Sequence, residues 1–204
     1  MQNTDNDLIK SLSKQPIKPR LKFSTKNEMK LIIVGNVGSG KTTSIRAISE
    51  IPMVGTEVKA TEQDALRRKE TTTVSMEYGL LHIQDTKLHI YGSPGQKRFE
   101  FVTSVLCENT SGMIIMIDNG HNHPLEELDY FLNFHRAYLE KKPAIIAVTH
   151  YDDANAKTPL MDYLQHVRKN GLPCAVMPLD ARNKEQVINV IMKLLVRILL
   201  QKPV

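Results

Sequence analysis

The sequence predicts an α/β domain with a mostly parallel six-stranded sheet, one antiparallel edge hairpin and helices on both faces. Three observations lead there. Short apolar runs alternate with segments of helical spacing through residues 29–200. Two of those runs, Gly112–Asp118 and Ala144–Val148, are apolar without interruption, the pattern of strands buried on both faces. A glycine-rich turn joins the first run directly to the first helical segment. Apolar residues make up 41% and charged residues 24% of the 204, ordinary proportions for one globular domain with a sizeable core.

The elements follow in order. Leu31-Ile32-Ile33-Val34 is a buried strand, and Thr43–Ile51 carries apolar residues at helical spacing. Between them, Gly35-Asn36-Val37-Gly38-Ser39-Gly40-Lys41-Thr42 fits G-x-x-x-x-G-K-[ST]. Glycines there turn consecutive backbone N–H groups onto a phosphate, and the following helix offers its positive end to the same anion. Lys41 is expected at the β- and γ-phosphates and the Thr42 hydroxyl on Mg²⁺, so the chain is expected to bind a nucleoside triphosphate. Pro52–Thr72 has no convincing periodicity and is long for a connection, so it reads as a conformational switch. Residues 74–83 and Lys87–Tyr91, joined at Gln84-Asp85-Thr86, form the antiparallel hairpin. Gly112–Asp118 is a strand, Leu125–Leu139 a helix and Ala144–Val148 a strand. Leu160–Lys169 is a helix ending at Gly171, Cys174–Met177 the last strand and Lys184–Leu200 the last helix. In such sheets ligands bind beyond the carboxyl ends of the strands, where the loops considered below all lie.

The net charge of +5 is concentrated at the front: Lys10, Lys14, Lys18, Arg20, Lys22 and Lys26 fall between Leu8 and Asn27 with no acid among them. With Pro16 and Pro19, this marks residues 1–27 as a basic arm before a domain spanning 28–204. The arm reads as a solvated leader, with one short helix around Asp7–Lys14; contact with a membrane surface is the other reading. Basic and aromatic residues do not cluster, which speaks against nucleic acid. No apolar run approaches the roughly 18 residues that span a bilayer, and neither a signal peptide nor a lipidation motif is recognisable, so a cytoplasmic protein is expected. Cys107 and Cys174 are expected as small buried residues rather than metal ligands or a disulfide.

Five segments in order carry a resemblance: Gly35–Thr42, Thr71-Thr72-Thr73, Pro94-Gly95-Gln96, Thr149-His150-Tyr151-Asp152 and Asp180-Ala181-Arg182. Together they resemble the motifs of the Ras-like small GTPases over residues 29–200. The match looks closest to the bacterial branch related to MglA and to GTPases encoded beside roadblock-domain partners. The resemblance implies a P-loop NTPase with the Ras-like three-layer sandwich, acting as a GTP/GDP switch with slow Mg²⁺-dependent hydrolysis. It also implies a roadblock-type regulator in bacterial signalling, polarity or motility.

Carried over residue by residue, the resemblance makes Gly35, Asn36, Val37, Gly38, Ser39, Gly40, Lys41, Thr42 and Thr43 the phosphate site. Thr73 becomes the second Mg²⁺-binding threonine, with Thr71 and Thr72 as alternatives. Asp152 would accept hydrogen bonds from N1–H and the amine of guanine, which adenine does not offer, and a site so built rejects the wrong base. Thr149 and His150 stand where the family has Asn and Lys. Asp180, Ala181 and Arg182 bring a backbone N–H to guanine O6. Gly95 would meet the γ-phosphate and order Lys97–Val105, while Gln96 would position the attacking water, with Lys41 as the third catalytic group. Two departures point to slow hydrolysis: Gly92 replaces the family's outer-shell acid for Mg²⁺, and Val37 replaces a glycine where a partner's arginine would approach. Arg67 and Arg68 are read as solvated, with a catalytic role in cis as the alternative. Asp118, at a strand end, is read as a turn cap rather than a water-mediated helper at the metal. Two rivals are kept: a guanine-nucleotide scaffold that hydrolyses negligibly, and a P-loop kinase of a small substrate.

Overall fold

The computed structural model describes residues 28–59 and 73–201. The expected basic arm and the candidates Arg67, Arg68, Thr71 and Thr72 lie outside these described residues. Strand β1 (Glu28–Val34) runs up the centre and is followed by α1 (Lys41–Ile48). Then come β2 (Val54–Lys59), β3 (Thr73–Ile83), β4 (Thr86–Gly92) and α2 (Glu100–Cys107), the last entered through a single tight helical turn at Lys97–Phe99. Next are β5 (Gly112–Asp118), α3 (Pro124–Phe134), α4 (Arg136–Leu139) and β6 (Ala144–Thr149). The domain closes with α5 (Leu160–Lys169), β7 (Ala175–Pro178) and α6 (Lys184–Leu200).

The seven strands lie in the order β2-β3-β4-β1-β5-β6-β7. β1 pairs in parallel with both β4 and β5, and β6 and β7 continue the parallel set. β2 and β3 pair antiparallel, as do β3 and β4. Alternate residues of β1 feed two cores. Leu31 and Ile33 pack with Ile45 of α1 and with Ile191 and Leu194 of α6. Ile32 and Val34 pack with Leu128 and Phe131 of α3 and with Tyr163 and Val167 of α5. Burial on both faces explains the unbroken apolar runs of β5 and β6.

The α/β sandwich is as expected, with three corrections. The sheet has seven strands rather than six, because residues 54–59 of the segment read as an aperiodic switch form β2; residues 60–72 of it lie outside the description. β2 carries Val54, Thr56 and Val58, a period-two signal diluted by Gly55, Glu57 and Lys59, which favour strands poorly. The hairpin β3–β4 is therefore not at the edge. The stretch Lys97–Val105, expected as a loop ordered by nucleotide, is already helical from Lys97 onward. The single helix expected over Leu125–Leu139 is interrupted at His135, whose backbone (φ −98°, ψ 12°) leaves helical geometry. Its imidazole is buried edge-on against Phe134, ring centroids 4.7 Å apart, and burial pushes its pKa down to about 4.

This topology places the site. β1, β4, β5, β6 and β7 point their carboxyl ends to one edge of the sheet. Since Glu77 of β3 pairs with Gly92 at the end of β4, β3 begins beyond that edge, at Thr73.

Candidate functional site

The loop leaving β1 turns through Gly38 (φ +87°) and Gly40 (φ +94°) into α1. Gly40 is required twice over. Its left-handed backbone resists an L side chain, and a Cβ there would lie 2.9 Å from the Cβ of Ala181. The ammonium of Lys41 folds back to donate to the carbonyls of Gly35 and Asn36, both at 2.7 Å. Burial lowers its pKa to about 8, against the opposing pull of Glu77 and Glu127. Behind the loop, Glu127 of α3 is almost fully buried; burial raises its carboxyl, countered by Asn36 and by His121.

Two cavities flank this loop. One, of about 360 Å³, is lined by Gly38, Gly40 and Thr43 on one side and by 149–152 and 179–182 on the other. Here Thr149, buried at the end of β6, donates to the carbonyl of Ser39 at 3.0 Å and reaches that of Ile117 at 3.3 Å. It ties the phosphate loop to the sheet. Asp152 opens the next turn: its carboxylate accepts from the backbone N–H of Ala154 (3.1 Å) and from Asn155 Nδ2 (2.9 Å), which hold its pKa below the ordinary carboxylate range. Asp180 accepts three bonds from Arg182, one from its backbone and two from its guanidinium, all at 3.0 Å. Ala181 between them abuts Gly40.

The second cavity, of about 290 Å³, is lined by Val37, Gly38, Lys41, Thr42 and Glu77 facing 93–96, Arg98 and Phe99. The Thr42 hydroxyl donates to Glu77 Oε1, while the buried Oε2 has no hydrogen-bond partner. Glu77 explains Gly92. A Cβ built on Gly92 would lie 2.8 Å from Glu77 Oε2 and 3.2 Å from Glu77 Cβ, so the carboxylate from β3 fills the room that a side chain on β4 would need. Gly95 lies so close to the loop that a Cβ would sit 2.6 Å from the Val37 nitrogen. Gln96 is exposed, and its Oε1 accepts from Arg98 Nε at 2.7 Å. The guanidinium of Arg98 in turn lies 4.8 Å from the Phe99 ring centroid. Thr42 with a spare buried carboxylate oxygen beside it is a hard oxygen donor set of the kind that suits Mg²⁺. Thr73 reaches this end of the site by register alone.

Residues 30–152, more than half of the chain and including both cavity walls up to Asp152, match the family model "Roc: Ras of Complex, Roc, domain of DAPkinase". The chain belongs to this Ras-like family. A curated protein of Methanocaldococcus jannaschii, "Uncharacterized protein MJ1339", is similar at 33% identity over 93 residues, 46% of this chain and 53% of that protein. The chain thus spans about half the length of the curated relative it matches.

In this Roc-family domain the structure brings together most of the residues singled out in the sequence. Gly38, Gly40, Thr43, Thr149, His150, Asp152, Asp180, Ala181 and Arg182 share the first cavity; Val37, Lys41, Thr42, Gly95 and Gln96 share the second. Gly35 and Asn36 form the loop's rear wall, and Ser39 is fully buried. Sequence reasoning missed three. Glu77 and Arg98 line the second cavity, and Glu127 lies behind the loop. Their signals are weak in sequence: Glu77 is one acid in an alternating strand, and its meaning depends on its pairing with Gly92. Asp118 does cap a turn, accepting from Gly120 N–H at 2.8 Å, but it also holds His150. No helix among the described residues is long and apolar enough to cross a membrane.

Proposed function

We propose that this Roc-family domain is a guanine-nucleotide switch that binds GTP and GDP with Mg²⁺ and hydrolyses GTP slowly. The observation that carries the reading is the pair of cavities on either side of one phosphate loop, with Gly38 bordering both. The first takes the base: Asp152 accepts from N1–H and the exocyclic amine of guanine, and the Ala181 N–H serves O6. Lys41 exchanges the carbonyls of Gly35 and Asn36 for the β- and γ-phosphates, a charge-assisted replacement for two neutral bonds.

Thr42 and Thr73 would hold Mg²⁺, with Glu77 in the place of the acid that Gly92 lacks; the ion neutralises phosphate charge when bound. Gln96 orients the attacking water once it is released from Arg98, and Gly95 meets the γ-phosphate. Loss of that phosphate frees Gly95 and Thr73, which gives the two states of the switch. The resemblance to MglA-like proteins supports a cytoplasmic role in bacterial signalling, polarity or motility with a roadblock-type regulator.

A second reading, a scaffold that binds guanine nucleotide with negligible hydrolysis, is favoured by the Gln96–Arg98 hydrogen bond, which occupies the carbonyl needed by the water. Calorimetric titration with GTP, GDP and ATP, with and without Mg²⁺, tests the binding claim; ATP bound as tightly as GTP defeats it. Phosphate release from wild type and Gln96→Leu separates switch from scaffold, equal rates favouring the scaffold.

A further inference from the structure

His150 is fixed in a way that binding of phosphate does not require. It follows β6 with φ +48°, a left-handed backbone that a residue with a bulky side chain seldom adopts. Its Nδ1 lies 2.8 Å from Oδ1 of Asp118, the last residue of β5, which sits beside Thr149 in the parallel register. A carboxylate only accepts, so Nδ1 carries the hydrogen and the ring is pinned by that edge. The same Oδ1 takes the Gly120 N–H at 2.8 Å, so the anchor is itself held. The rest of the imidazole borders the base cavity beside Asp152.

The charged groups around the ring come from every neighbouring segment. Asp118 ends β5, Asp152 lies on the same loop as His150, and Asp180 follows β7 close enough that His150, after Arg182, helps hold its carboxyl down. The two nearby cations are engaged elsewhere: Arg182 on Asp180, and Lys157 on the Gly120 carbonyl at 3.1 Å. A ring facing three carboxylates is favoured in its charged form.

Resting on the guanine reading above, we propose that Asp118 and His150 form a base clamp in which a protonated imidazole, pinned by Asp118, lies on the face of the purine held by Asp152. A cation over an electron-rich ring is attracted to its face. Imidazole changes charge within about pH 5 to 8, so the clamp makes nucleotide affinity depend on one proton.

The test is the affinity of the full chain for GDP from pH 5.5 to 8.5, in wild type, His150→Lys, His150→Gln and Asp118→Asn. Because the terminal phosphate titrates in the same range, the readout is the affinity of each protein relative to His150→Lys at the same pH. The expected wild-type ratio is near one at the acid end and falls about tenfold towards pH 8.5. His150→Gln is expected at the low ratio throughout, and Asp118→Asn shifts the fall to lower pH. A wild-type ratio that stays flat while both proteins bind GDP overturns the clamp and leaves the guanine reading standing. If neither wild type nor His150→Lys binds GDP at any pH, the guanine reading falls and the clamp with it.

Discussion

The two ends of the nucleotide site are built differently. At the base end, every wall comes from the carboxyl end of a parallel strand, and each side chain stands where its segment places it. Thr149 ends β6, Asp118 ends β5, and Ala181 follows β7 and packs on Gly40. At the phosphate end one wall comes from β3, which runs the other way, and its acid has moved across the sheet. Glu77 supplies from β3 the carboxylate that Gly92 lacks on β4. A site can therefore keep its chemistry while changing which strand carries it, provided that the two positions face each other across a ladder and that one of them is a glycine.

The comparison can be broken from either side. The largest effect is expected at the junction of the two ends. Lys41→Ala removes the only ammonium lining the second cavity, and affinity for GTP and GDP should fall together, by roughly 30-fold to several thousandfold in a titration. Next is the relocated acid. Glu77→Ala should raise the Mg²⁺ concentration needed for tight GTP binding by about 10- to 100-fold, the usual cost of losing a group that orients metal ligands. Gly92→Asp alone should destabilise the fold, because its Cβ meets Glu77; combined with Glu77→Ala it should recover part of the Mg²⁺ dependence. If Glu77→Ala leaves that dependence unchanged, the exchange between strands is not functional.

Gln96→Leu should slow single-turnover hydrolysis by about tenfold while sparing GDP affinity, since the residue acts on the water rather than on the base. The smallest effect is expected from Thr149→Val, which leaves the buried carbonyl of Ser39 without its donor. It should cost about 1–3 kcal/mol in denaturant unfolding. A loss much beyond that would mean that the tie between loop and sheet carries more of the fold than one hydrogen bond.

The same contrast explains what could be read from the chain. Parallel strands buried on both faces announce themselves as apolar runs, and loops at their ends carry short motifs in order; β1, β5, β6 and the segments 35–42 and 149–152 were legible for that reason. β2 was not, because a strand of mixed residues has no clean alternation, and its pairing with β3 is non-local. Nor was the break at His135, where burial of one imidazole between aromatic rings overrides helical spacing. Glu77 escaped because an acid in a strand reads as solvent-facing until its neighbour across the ladder turns out to lack a side chain. Asp118 was seen only as a turn cap, since its bond to His150 spans 32 residues of sequence.

The central claim is that the carboxylate of Asp152 reads the edge of guanine, and a change of one atom type tests it most directly. Asp152→Asn replaces an acceptor with a donor, which suits xanthine, whose ring carries a carbonyl where guanine has an amine. The affinity of this variant for GDP should fall by about 100-fold or more while its affinity for xanthosine diphosphate rises above that of wild type. Unchanged GDP binding in Asp152→Asn, with no gain for xanthosine diphosphate, would contradict the account.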